Sequence, residues 1–147
     1  MTDDATIAVF DGHNDTLLRC YHPDKEATRS FLEESDTGHI DLPRARRGGL
    51  AGGLFAIFVP TPDYNFRESF KQTAQGYSAT PSPAVDPAYA RTFTDKVVAS
   101  LFEMEQASEG QVQVVRTSAA LDDCLARGVL AIVLHFEGLR SRQYWVA

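Results

Sequence analysis

The sequence predicts an α/β fold built on a parallel sheet, and three observations predict it. Three short apolar runs, rich in β-branched residues, have the length of strands. The second and third are continuously apolar rather than alternating, the pattern of strands covered on both faces. Helix or long loop separates each run from the next, whereas a sandwich would place its strands at short, even intervals.

The first strand is read in Thr6-Ile7-Ala8-Val9-Phe10, arriving at a turn at Asp11-Gly12. Residues 22–47 are polar with few periodic apolar positions, which predicts irregular loop with at most one short helix. Gly48 to Gly53 then leads into the second run, Leu54-Phe55-Ala56-Ile57-Phe58-Val59. Five of the seven prolines (Pro60, Pro62, Pro81, Pro83, Pro87) follow, so residues 60–87 are expected to be mostly loop, because proline removes a backbone donor. Val97, Val98, Leu101 and Phe102 make one apolar stripe of a helix from about Asp95 to Ser108. Gln111 to Val115 reads as a brief strand. Thr117 or Ser118 caps a second helix with the face Leu121, Cys124 and Leu125, and Gly128 stands at its C′ position. The third strong strand covers residues 129–137 and ends at Gly138.

The chain of 147 residues is enough for about one domain. Its 44% hydrophobic and 23% charged content is ordinary globular composition, which excludes fibre and disorder. A net charge of −6 argues against a nucleic-acid partner, which calls for a surplus of Lys and Arg. No apolar run has the ~18 residues of a membrane span, and Asp3-Asp4 stand where a signal peptide carries base. Cys20 and Cys124 form no Cys-x-x-Cys, so the expectation is a cytoplasmic protein with reduced thiols.

The chemistry gathers at strand ends. His13 and Asp15 stand two residues apart, and in an extended backbone such a pair projects from one face, so both can meet one divalent ion such as zinc. Glu137 ends the third run, where a carboxylate leaving a dry interior needs a partner, and a metal is one. An arginine partner or a capping role is the competing reading of Glu137. His39-Ile40-Asp41 repeats the spacing without a preceding strand and reads as structural or capping. His135 is expected to be a hydrogen-bonded interior histidine behind the metal; His22 is expected to be exposed. The Gly48–Gly53 cluster lacks the Lys-Ser/Thr of a phosphate loop, so close strand packing or a tight turn explains it better. Arg44, Arg46 and Arg47 read as a solvated basic cluster.

Three blocks carry a family resemblance. Phe10-Asp11-Gly12-His13-Asn14-Asp15-Thr16-Leu17, then Asp41 to Leu50 with Gly53-Leu54-Phe55, then Ile132 to Gly138 resemble, in order and spacing, the membrane (renal-type) dipeptidase family of zinc metallopeptidases. The resemblance implies a metal-dependent hydrolase of the (β/α)₈ barrel type. About three of its eight barrel strands would be present, residues 1–138 forming its N-terminal part and 139–147 a divergent tail. It implies His13 and Asp15 on a first zinc and Glu137 bridging two. Water shared by the ions would attack the scissile carbonyl of a dipeptide, with residues 60–87 helping to form the substrate rim.

The family's other zinc histidines, its substrate-contacting histidine and arginine, and its late aspartate have no counterpart here. Leu139 to Gln143 faintly resembles a later Gly-Leu-Arg-Ser segment. No catalytic residue is therefore assigned. The expectation is a truncated zinc dipeptidase, inactive alone, holding one zinc weakly at most. A non-catalytic metal-binding or structural remnant is the alternative, and a mononuclear metallohydrolase of other specificity a third. Strands near 7–11 and 130–136 would each leave an open apolar edge, inviting self-association.

Overall fold

The computed structural model describes residues 7–21 and 29–137. His22, Gly138 and the tail 139–147, about which expectations were stated, lie outside the described residues, as does Thr6 at the start of the first run. In chain order the elements are β1 (Val9–Asn14), α1 (Thr16–Cys20), α2 (Leu42–Arg47), β2 (Leu50–Ile57), α3 (Phe66–Ser69), β3 (Phe70–Thr73), β4 (Gly76–Ala79), α4 (Pro87–Ala107), β5 (Val112–Val114), α5 (Ser118–Arg127) and β6 (Leu130–Phe136). Four strands form one sheet in the order β1-β2-β6-β5, every pair parallel, while β3 and β4 form a separate antiparallel hairpin.

The sheet is α/β and parallel because its strands are covered on both sides. Along β6 the side chains alternate between two apolar clusters. Leu130 and Ile132 join Phe55, Ile57, Phe93, Val97 and Leu101, whereas Val129 and Ala131 join Val115 and Cys124. Helix α4 therefore covers one face and α5 the other. That division follows from the strand order: the chain passes β6's place to lay down β5, then reverses, and right-handed crossovers in opposite directions use opposite faces. In β2, Phe55, Ala56 and Ile57 are buried, as expected of a central strand.

The glycine cluster shows two separate reasons for its glycines. Gly49 has φ +73, a left-handed turn between α2 and β2. Gly52 and Gly53 lie inside β2, which begins earlier than the apolar run at Leu54. A Cβ on Gly52 would stand 2.5 Å from the Ala131 carbonyl oxygen, and one on Gly53 would stand 3.0 Å from the Asp11 Cβ. Strand packing on both sides is thus close enough to exclude a side chain.

Several boundaries differ from expectation. β1 does not turn at Asp11-Gly12; it pairs with β2 through Asn14, with one extra residue between Asp11 and Asn14. Residues 60–87 are less irregular than their prolines imply, because the prolines bracket a proline-free stretch that holds α3 and the β3–β4 hairpin. Pro87 itself opens α4, eight residues before Asp95. The missing N–H is harmless in the first turn, and the Asp86 carboxylate accepts from the Tyr89 N–H. The stripe then continues upstream through Ala90, Phe93 and Thr94. Helix α5 has Thr117 as its cap, accepting from the Ala120 N–H, and Gly128 at φ +68 as its stop. On its face Cys124 is buried and Leu125 is exposed.

The sheet's edges are unequal, which corrects in part the expectation of two open ones: β5 covers the start of β6, and residues 133–136 have β2 alone beside them among the described strands. β5 pairs with residues 130–132 of β6. Its own outward N–H groups are taken by side chains: Val112 donates to the Ser108 hydroxyl and Val114 to the Glu105 carboxylate. That edge is blunted. On the other side Ile7, Val9 and Phe10 are exposed, and among the described strands β1 has β2 as its single sheet neighbour. No described helix is long and apolar enough to cross a membrane.

Candidate metal centre

The carboxyl ends of β1 and β6 flank the carboxyl end of β2, the edge at which parallel α/β architectures build sites. Parallel neighbours are ~4.8 Å apart, so side chains from β1 and β6 must lean across roughly 10 Å to meet above β2. Ala56, paired in register with His135, keeps that space low. The rings of His13 and His135 approach edge to face there, with centroids 5.6 Å apart and planes at 82°.

The β1 end is shaped by its own polar side chains. Asp11 accepts from the backbone N–H of His13 through one oxygen and from the Asn14 side-chain amide through the other. Asn14 in turn accepts from the Thr16 N–H at 3.1 Å, capping the entry to α1. Asp15 stands at the N-cap position but makes no capping bond with its side chain. Its carboxylate is left free and turns to His13. Asp15 lies past the strand, at φ −98 and ψ 28, so extended-strand alternation is not what brings the pair together. The extra residue in β1 and the turn into α1 do so.

On the far side the Glu137 N–H donates to the Ile57 carbonyl at 3.0 Å, extending the β2–β6 ladder by one residue and fixing where the carboxylate begins. His13 Nε2 lies 3.6 Å from Asp15 Oδ1 and 3.5 Å from Glu137 Oε2. One ligand atom from each of the three falls within 4.8 Å of the others. Ligands held at ~2.0–2.1 Å around a tetrahedral zinc sit ~3.4 Å from one another. The two separations from His13 are within a few tenths of an ångström of that, and one nitrogen with two carboxylate oxygens suits a divalent ion. Two carboxylates this close repel by on the order of 1 kcal/mol even when screened as in water, and a cation between them removes that repulsion. The three side chains are 42–55% exposed, which leaves room for water or a ligand beside an ion. The residues present fit a metal.

A cleft of about 230 Å³ opens beside His13 and Asp15, and Arg19, Arg29 and His39 line it as well. Residues 13–16 and Arg19 line one side of it, and Arg29, His39 and Ile40 line the other. Arg29 donates to the Ile40 carbonyl, and buried Asp41 anchors the loop beneath. Asp41 accepts from the backbone N–H groups of Ser35 and Arg44 and from the Arg44 guanidinium at 2.6 Å. Burial pushes this carboxyl's pKa up, but those hydrogen bonds outweigh burial and hold it below the ordinary aspartate value.

The second His-x-Asp therefore divides. Asp41 caps α2, as expected, whereas His39 is exposed in the cleft and has no capping bond among the described residues. Sequence spacing offered no signal for this, because the loop's path depends on Asp41. The arginine cluster divides too: Arg46 and Arg47 are exposed, as expected, and Arg44 is the correction. Arg44 belongs to the Asp41 hub and Arg47 binds Glu34 through two nitrogens at 2.7 and 2.8 Å, while Arg46 is exposed. His135 is half-buried and touches the His13 ring; it makes no hydrogen bond among the described residues, contrary to expectation, because its strand position directs the ring across Ala56.

Known proteins resemble this chain in sequence and fold. The chain is similar to dipeptidase AC, a metallopeptidase of family M19, with 37% identity and a TM-score of 0.77 over 92% of this chain and 38% of that one. It is similar also to a metallopeptidase from Rhodobacter sphaeroides solved with a phosphinate mimic of the dipeptide L-Ala-D-Ala (35% identity, TM-score 0.74, 92% of this chain and 39% of that one). An uncharacterised protein of Acinetobacter calcoaceticus encoded in a PQQ-III 3′ region is 32% identical over 93% of this chain and 42% of its own length. Dipeptidase ataJ of Aspergillus terreus is 31% identical over 65 residues, 43% of this chain and 16% of its own. The chain thus spans about two fifths of the length of the longer matches, and its parallel sheet is that of a partial barrel of their type. Residues 4–143 match the sequence pattern of Membrane dipeptidase (Peptidase family M19), and the chain belongs to that family.

Proposed function

We propose that this chain carries the first-metal half of a zinc-dependent dipeptidase centre, with His13 and Asp15 as ligands and Glu137 as the carboxylate that would bridge to a second ion. The convergence of these three side chains across the carboxyl end of β2 is the observation that supports this reading. When bound there, a divalent ion acidifies water and polarises the scissile carbonyl of a dipeptide. The protein's own residues do the positioning: Asn14 frees Asp15, the β2–β6 ladder fixes Glu137, and the His135 ring backs His13. The substrate class is a dipeptide, by likeness to the Rhodobacter sphaeroides protein and its dipeptide mimic.

A second reading is favoured by a specific observation. Among the described residues there is one three-ligand group. On its own the chain would then hold a single ion weakly and hydrolyse little, acting as a metal-binding remnant of such a barrel. We place it in the cytoplasm, in keeping with its two free cysteines.

Calorimetric titration of chelator-stripped protein with zinc tests both readings. One ion per chain is expected, with Glu137→Ala abolishing the binding and His39→Ala leaving it unchanged. No zinc uptake by the unsubstituted chain would remove the metal reading. L-Ala-D-Ala hydrolysis that survives a chelator would contradict the metal mechanism, and brisk hydrolysis by the zinc-loaded chain would contradict the remnant.

A further inference from the structure

We propose that His135 is a fourth protein ligand to the ion of the His13, Asp15 and Glu137 group, closing a site that three ligands would leave open to water. That role rests on the metal reading above, which stands without it.

His135 lies in β6 and Glu137 two residues on, where the ladder to β2 still holds the backbone extended. Extended alternation therefore puts both side chains on one face. Each strand flanking β2 thus leads into a histidine and a carboxylate two residues apart, His13 with Asp15 and His135 with Glu137.

The two imidazole rings already meet over Ala56, with centroids 5.6 Å apart. Two imidazoles on one tetrahedral zinc, each bonded at ~2.0–2.1 Å, have their centroids roughly 5 Å apart. Spacing alone does not separate ligation from ring packing, since aromatic pairs stand ~4.5–7 Å apart. Hydrogen bonding does. A half-buried imidazole ordinarily has its nitrogens satisfied, yet His135 makes no hydrogen bond among the described residues. Its ring is free to turn. A turn is required, because His135 is not in the group whose ligand atoms fall within 4.8 Å of one another. The last torsion of a histidine has a broad profile, so that turn costs little.

Charge favours the same set. Two carboxylates cancel a divalent ion, and two neutral imidazoles add donors without adding charge, which suits half-buried surroundings. Four protein ligands characterise structural zinc, whereas catalytic zinc keeps a position open. With His135 bound, the ion takes two ligands from each side of β2, and water enters when the ring swings away.

The test is nitrogen NMR of the zinc-loaded chain labelled with ¹⁵N-histidine, read through the ring C–H protons, which do not exchange. Of the four histidines, His13 and His135 are each expected to show a zinc-bound nitrogen. His135→Phe should leave His13 alone with one. That variant keeps an aromatic ring beside His13 but has no ligand atom, so its zinc affinity reports ligation rather than packing. Calorimetry should find it weakened ~10-fold or more, since loss of outer partners alone costs ~10–100-fold. A zinc-bound nitrogen on His13 and none on His135 overturns the fourth ligand and leaves the metal reading intact, and the unsubstituted chain suffices to show it. Full zinc affinity in His135→Phe overturns it as well. Absence of any zinc uptake removes both readings together.

Discussion

At the scale of single residues, the centre depends on which side chain takes which duty. Asn14 caps α1 so that Asp15 need not. Asn14→Ala removes that cap, and Asp15, the next acceptor at hand, is drawn to the helix. The expected outcome is a loss of about 1 kcal/mol in stability by urea denaturation and zinc affinity weakened ~10-fold or more by calorimetry. Asp41 illustrates a duty of the opposite kind, wholly structural. Its pKa is lowered in the folded protein, so the unfolded chain binds its proton first as pH falls. The stability it contributes is fully present above the ordinary aspartate value near ~4 and is lost as pH drops through the lower folded value. The urea midpoint should therefore fall between roughly pH 5 and 2, and less steeply in Asp41→Asn. His13, Asp15 and Glu137 were legible in the sequence because short-range order leaves them at strand ends. The geometry that joins them was not, since it comes from a ladder irregularity and a side-chain cap. Of the second His-x-Asp the capping role falls to Asp41 alone, and nothing local reports that the 29–40 loop brings His39 to the cleft beside β1.

At the scale of elements, periodicity and cap chemistry were informative where the chain satisfies itself locally. Helix α5 could be read from Thr117 to Gly128, and β6 from its apolar run, because each is set by its own sequence. The start of α4 was hidden by reading Pro87 as a breaker when it was an opener. The hairpin was hidden among prolines that bound it without entering it. In β2 the glycines answer to neighbours that no local pattern reveals. Gly52→Ala sets a methyl 2.5 Å from the Ala131 carbonyl, backbone that cannot simply turn aside. Destabilisation of about 1–3 kcal/mol is expected in chemical denaturation, as for other overpacked cores.

At the scale of the whole molecule, the asymmetry of the sheet dominates. One edge is covered over residues 130–132 by β5 and blunted there by the side chains of Ser108 and Glu105; the other exposes Val9 and Phe10 along β1. We propose that the chain self-associates through the β1 edge. Sedimentation should show mass rising with concentration, and Val9→Lys, a charge of the kind that guards natural edges, should hold the chain monomeric. A mass independent of concentration would dismiss the idea. The family and the parallel architecture were legible because three separate motifs lie in register. The pairing of β5 was not, because a three-residue strand has too little pattern to declare its neighbour.

The place where β5 stops has a consequence of its own. It flanks β6 over residues 130–132, so among the described strands the stretch leading to Glu137 is gripped by β2 alone. An ion seated between Glu137 and His13 would act as a splint across β2, lashing the far end of β6 to the bulged tip of β1. Occupancy and rigidity would then rise together, by the mass-action linkage that makes any ligand of the folded state a stabiliser.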